Sequence, residues 1–211
     1  MKYKLFLFLV IIFFVQAVWS ACPDMGKPIL NINFKYGKIN YINNKSNKDF
    51  PQAPYSSVMG LTVTDLQRKA SGDNQIQSTK DGGFCVMLQR LNVDIGFPKV
   101  DIYIDKKYKP GTCNYNVIKE HENYHARVQQ EGLKVFSKKI KEAYQIALSK
   151  IKPVETYSKA GAQDAASRMI KQIEQDVAPL MEYVQKRLKE ENMVIDTQAS
   201  YEAESKKCPK W

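Results

Sequence analysis

Histidine is nearly absent from this chain: two occur in 211 residues, so any imidazole chemistry falls to that pair. Cysteine is also sparse, with four, and no two of them form C-x-x-C. That excludes a four-cysteine zinc site and a thioredoxin-like redox pair, which both need closely spaced thiols. Beyond residue 20 there is no apolar run of about 18 residues, the length that a membrane-spanning helix requires. No RNA- or DNA-reading motif occurs, so nucleic acid is not an expected partner.

The long apolar run that does occur lies at the start. Residues 5–15 are all apolar, Lys2 and Lys4 precede them, and Val18-Trp19-Ser20 places small residues at −3 and −1 of a cleavage point before Ala21. Residues 1–20 thus read as a signal peptide and 21–211 as one exported domain, periplasmic or extracellular. Trp19-Ser20-Ala21-Cys22 distantly resembles a lipobox, which leaves a lipid anchor at Cys22 as an alternative. The net charge of +10 falls to +8 without Lys2 and Lys4. Such a chain can associate with an anionic envelope surface, although lysines scattered among glutamates also describe an ordinary solvated helix face.

Four cysteines in an oxidising compartment imply two disulfides. Residues 84–93 and 100–104 read as two strands joined around Gly96-Phe97-Pro98. Paired about residues 97 and 98, they bring Cys85 near Cys113, which favours Cys85–Cys113 and leaves Cys22–Cys208 to join the termini. Earlier, Leu30, Ile32, Phe34 and Tyr36 alternate with polar residues, and Ile39 and Tyr41 resume after Gly37-Lys38, a β-hairpin signal. Asn43 to Asp49 reads as a polar loop closed by Pro51 and Pro54. Thr64 can cap a short helix over residues 65–70, followed by a loop over 71–83.

The second half reads as two long helices. One starts near Asn114 or Asn116 and runs to Ile151, stopped by Pro153; the other spans about 161–191, kinked at Pro179. Joined through residues 152–160, they form an antiparallel hairpin. The expected fold is α+β, a small N-terminal antiparallel β region followed by this hairpin. The apolar stripe of the first helix is Ile118, Val128, Val135, Phe136, Ile140, Ala143, Ile146 and Ala147, and both histidines fall on it.

Those histidines stand as His121-Glu122-Asn123-Tyr124-His125, an H-E-x-x-H. Four residues apart on a helix, two imidazoles project from one face and can grip one ion. Glu122 lies about 100° round the helix, where a carboxylate reaches the reacting water without being a ligand. The pattern assigns His121 and His125 as ligands of one Zn²⁺ and Glu122 as the catalytic base.

Catalytic zinc takes three protein ligands, so one more is needed. Glu131 points about 80° away from His121 and lies about 9 Å along the axis from His125; Glu142 is about 25 Å away. Folding the hairpin back brings residues near 186–190 beside the histidines. Glu191 on the inward stripe is the candidate third ligand, with Glu190 and Asp196 nearby and Tyr183, Tyr201 or a cysteine-bridged tail as further shaping groups.

The H-E-x-x-H on a long helix resembles the zincin class of metallopeptidases. A wider stretch also resembles an uncharacterised family of exported bacterial proteins with predicted zincin character. Its matching residues are Cys85 in a strand, Val100-Asp101-Ile102-Tyr103-Ile104, Gly111-Thr112-Cys113-Asn114-Tyr115 and His121-Glu122-Asn123-Tyr124-His125. The resemblance implies a periplasmic or cell-surface protein with peptidase activity and supplies neither a substrate nor a third ligand; the H-E-x-x-H chemistry itself is read as hydrolysis of a peptide or protein substrate. The strand at 100–104 then offers an edge for an extended peptide, as in zincins. The alternative is a non-catalytic envelope protein, with a structural metal or none, that binds a protein partner or an anionic polymer.

Overall fold

The computed structural model describes residues 22–51 and 58–211; residues 1–20, read above as a signal peptide, and Ala21 and Pro54 lie outside that range. Three stretches of the chain are extended, and each breaks once. The first gives β1 (Ile29–Tyr36) and β2 (Ile39–Ile42), the second β3 (Gly60–Thr64) and β4 (Gln67–Ser78), the third β5 (Phe84–Phe97) and β6 (Val100–Ile104). One sheet has the order β1-β5-β4 and the other β2-β6-β3. The parallel pairs β1–β5 and β2–β6 share one register: Asn31 meets Asn92 and Asn40 meets Asp101, each 61 positions apart. The two sheets are therefore the halves of one three-stranded ladder, bent where all three strands break.

Pro98 explains the break. It sits in the middle strand, where a residue without an N–H cannot serve a ladder on both sides. Gly96 makes the approach to the bend: its φ is +147°, and a Cβ there would lie 2.0 Å from the backbone oxygen of Lys35. Across the break, the Gly37 N–H donates to the Phe97 carbonyl at 2.7 Å and keeps the strands together.

This bend overturns several expectations. Gly37-Lys38 is not a hairpin turn, because β1 and β2 both run parallel to strands far along the chain. The β region is mixed rather than antiparallel. Residues 67–78 form an edge strand instead of a helix and a loop. Their polar composition suits an exposed edge, which charged and polar side chains protect from further pairing. β5 and β6 lie in different sheets and do not pair with each other, so Cys85 is not brought to Cys113. The disulfides are Cys22–Cys85 and Cys113–Cys208, with Cα separations of 5.4 and 5.8 Å. A sulfur committed to Cys85 cannot also carry a thioether, which removes the lipid anchor at Cys22 from this structure.

The helical half matches its outline. α1 (Cys113–Ser149) is capped by Thr112, whose side chain accepts from the Tyr115 N–H, rather than by Asn114 or Asn116. α2 (Lys159–Met193) starts at a Ser158 cap and continues through Pro179 as one helix. Between them β7 (Val154–Thr156) adds to the first half of β5. The helices are antiparallel, since Tyr144 meets Glu174, Gly132 faces Leu188 and His125 meets Asn192. An unexpected third helix, α3 (Gln198–Ser205), follows. Among the described residues, no helix is long and apolar enough to cross a membrane.

The core lies between the helix pair and the sheet. Leu91, Val93, Ile95 and Phe97 of β5 meet Ile118, Leu133, Ile140 and Tyr144 of α1 and Met169, Ile173, Val177 and Val184 of α2. Val135 and Ile146, expected to face inward, are exposed; the buried seam of α1 instead takes Tyr115, Glu122, Ala126 and Tyr144. Tyr144 is fully buried and donates to Glu174 at 2.7 Å, and Arg68 of β4 lies 2.8 Å from the same carboxylate. Burial and Glu174 both push the Tyr144 phenol far above its usual range. Glu174→Ala leaves this phenol and the Arg68 guanidinium without their partner, and should cost about 1–3 kcal/mol in urea unfolding, with an unchanged m-value.

Candidate metal centre

The first turns of α1 pack against β3, while the end of α2, the link 194–197 and α3 close over the other side. This arrangement surrounds His121 and His125. Nε2 of His121 and Nε2 of His125 are 3.1 Å apart, and Oδ1 of Asp196 lies 3.2 Å from the first and 3.1 Å from the second. The other nitrogens are engaged: Nδ1 of His121 faces Oε1 of Glu204 at 2.9 Å, and Nδ1 of His125 faces Oδ1 of Asn192 at 3.2 Å. Where Nδ1 donates to these oxygens, a neutral imidazole turns its Nε2 lone pair inward, toward the other ring and Asp196; when protonated, Nε2 donates to Asp196 instead.

Two nitrogen lone pairs and a carboxylate oxygen then converge on one point. At these separations they repel one another unless positive charge sits among them. Burial disfavours the imidazolium of His121, yet its hydrogen bonds to Asp196 and Glu204 and the nearby Glu122 outweigh it and raise its pKa to about 9. Burial acts against His125 in the same way, and Asp196 and Glu122 more than offset it, raising its pKa as well. Asp196 also feels burial, but His121, His125 and Tyr201 hold its carboxyl far below the usual range. The site demands positive charge, supplied by protons or by an ion.

An ion fits. Bonds of about 2.0–2.1 Å to a tetrahedral zinc place ligand atoms about 3.3–3.4 Å apart, close to the 3.1–3.2 Å found here. His121, His125 and Asp196 form a group whose ligand atoms all lie within 4.8 Å. Two imidazoles and one carboxylate are a donor set suited to zinc, and the hydrogen-bonded Nδ1 atoms are what orients such ligands. Tyr201 of α3 stacks on His121 with ring centroids 5.4 Å apart and donates to Oδ1 of Asp196 at 2.8 Å.

Glu122 stands beside this trio, buried against β3. The Thr62 hydroxyl lies 2.8 Å from its Oε2 and 2.9 Å from its own backbone oxygen, so the single proton serves one at a time. Burial raises the Glu122 pKa, with Thr62 and the two histidines opposing. Gly60 makes room for the carboxylate: a Cβ there would lie 2.6 Å from Oε1 and 2.6 Å from Cγ2 of Ile118.

A cleft of about 810 Å³ opens over the trio. One wall is β3, the terminal strand of its sheet among the described residues; the expected edge, β6, is the middle strand and is paired on both sides. Leu66, Phe97 and Leu188 line the apolar part, and Trp211 lines it as well.

The structure thus brings together His121, His125 and Glu122, as their spacing predicts. Glu191 is not with them: its carboxylate is 2.8 Å from Arg187 on the exposed side of α2. The helix continues two residues past it, to Met193, and the chain turns inward only in the link, so Asp196 takes the position. Glu131 pairs with Lys134, and Tyr183 packs edge-on against Phe136; Tyr201 is the tyrosine at the site. Asp196 and Tyr201 are among the groups expected nearby, whereas Asn192 and Glu204 are not; the sequence signal for Glu204 is Thr197, whose side chain accepts from the Ser200 N–H and starts α3, setting Tyr201 and Glu204 three apart on one face. The chain matches no family model, no curated protein and no solved structure.

Proposed function

We propose that this chain is a zinc-dependent metallopeptidase of the zincin-like H-E-x-x-H kind, exported and hydrolysing peptide amide bonds in the cell envelope or outside the cell. The observation that carries the reading is the convergence of His121 Nε2, His125 Nε2 and Asp196 Oδ1 within 3.2 Å, at the floor of a cleft and beside a buried carboxylate. His121, His125 and Asp196 would hold one zinc ion, which would supply the Lewis acidity that polarises a carbonyl and acidifies water.

The chain's own groups do the rest. Thr62 holds Oε2 of Glu122, which leaves Oε1 to accept the proton of the attacking water and deliver it to the leaving nitrogen. Glu204 and Asn192 keep the imidazoles in the Nδ1–H form. The β3 edge offers backbone groups on which an extended peptide adds as a strand, and the apolar wall excludes water from its side chains. A closed structural site needs a fourth protein ligand; Glu204 faces Nδ1 of His121, on the far side of the ring, which favours an open position over the non-catalytic reading.

Metal analysis by mass spectrometry tests this directly. The oxidised protein should carry one zinc per chain, His121→Ala should carry none, and only the former should cleave a peptide pool. Protein that stays metal-free after incubation with zinc removes the reading.

A further inference from the structure

The C-terminal segment supplies two groups that hold the metal ligands, yet it has almost no core of its own. Tyr201 donates to Asp196 and Glu204 faces His121. α3 buries no residue, and from 194 to 211 Cys208 is the one buried side chain among the described residues. Segments with so little burial open at low free-energy cost. Trp211 packs edge-on against Tyr108, and Tyr201 and Glu204 meet His121; beyond these the ties to the start of α1 are few: Cys208 is bridged to Cys113, Asn114 donates to the Lys210 carbonyl at 2.8 Å, and Lys207 lies 3.7 Å from Glu120. The last two are exposed polar contacts, which contribute little alone.

We propose that the Cys113–Cys208 disulfide is a redox latch on the metal centre, closed by oxidation and opened by thiol reductants, an inference that rests on the metal-dependent reading above. A thiolate of the reductant attacks one sulfur of the bridge, the S–S bond breaks, and a mixed disulfide forms. A second thiolate then displaces the protein sulfur. Two electrons and two protons end on Cys113 and Cys208 as thiols, and the reductant leaves as its own disulfide. Each bridge has one buried cysteine, Cys208 and Cys85, but Cys113 is exposed at the start of α1 whereas Cys22 is half-buried, so attack falls on Cys113 first.

Opening the latch does not remove Asp196, which follows the last residue of α2 by three positions. It frees Tyr201 and Glu204. Groups that orient metal ligands are worth about 10- to 100-fold in metal affinity. Linkage is reciprocal, so a bound ion must make the latch harder to reduce by a matching factor. Such a site stays open in a reducing compartment and closes in an oxidising one.

The test uses the full oxidised chain, zinc alone as the probe and a chromophoric chelator as competitor. Zinc affinity should weaken about 10- to 100-fold in Cys113→Ser/Cys208→Ser, with far-UV circular dichroism unchanged. In the unmodified protein, saturating zinc should shift the thiol–disulfide equilibrium of Cys113–Cys208 toward the disulfide by a matching factor in a glutathione redox buffer, read by alkylation and mass spectrometry, without shifting that of Cys22–Cys85. If the double variant fails to fold, this equilibrium decides alone. Equal zinc affinity in a folded variant, or the same equilibrium with and without zinc, overturns the latch and leaves the metal centre standing. An oxidised unmodified protein that binds no zinc overturns both.

Discussion

Glu122→Gln should keep its metal and lose about 10²- to 10⁴-fold in kcat/KM, the range that a positioned acid–base group contributes. The substitution preserves shape, and the space beside Gly60 that accepts the carboxylate also accepts the amide. Thr62 can still donate to the retained oxygen, so the local packing persists. The His121, His125 and Asp196 atoms are untouched, and zinc content should stay at one per chain. An amide cannot take the proton from water, which is the one property removed. Paired measurements of metal content and cleavage of a defined peptide separate this result from unfolding. Turnover within about threefold of the unmodified protein would end the role assigned to Glu122.

Asp196→Ala should weaken zinc binding about 10²- to 10⁴-fold, because zinc sites draw about 10–16 kcal/mol from all their ligands and one of three accounts for about 3–5 kcal/mol. Glu191→Ala is the matched comparison. It removes a carboxylate from the same part of the chain, but one whose partner is Arg187. Its zinc affinity should stay within about twofold, as expected of an exposed ion pair. Chelator competition reads both. A reversed order, with Glu191 mattering and Asp196 not, would mean that the link beyond α2 turns inward elsewhere in solution.

The difference between those two carboxylates shows where sequence reading stops. Mirroring the helix pair about its connection places residues near 186–190 beside the histidines, and the structure places Asn192 beside His125. At His125 the offset is about five residues, a little over one turn, in a helix of 35 residues. It is large enough to choose the wrong acid, since a ligand must be right to within an ångström. The sheet failed differently. Alternation found β1 and β2, but their partners stand 61 positions away, and nothing local distinguishes a strand pair joined by Gly37 from two strands that bend together. The polar run from Gln67 to Ser78 read as helix and loop because an edge strand facing water has no apolar period to betray it.

Features that depend on spacing along one element are legible before any folding is known. The i, i+4 histidines share a face of α1 whatever surrounds it, and Glu122 follows from the same 3.6-residue period. The two long helices, their antiparallel sense and the presence of two disulfides are equally local or countable. Tertiary structure alone decided the disulfide partners, the open strand beside the cleft and the third metal-holding atom. Each depends on a meeting of segments remote in sequence, brought together by burial of β5 between its neighbours and by the Cys113–Cys208 bridge. Apolar burial is non-directional and sets no register by itself; the register comes from Pro98, Gly96 and the bent ladder, and through it Thr62 reaches Glu122.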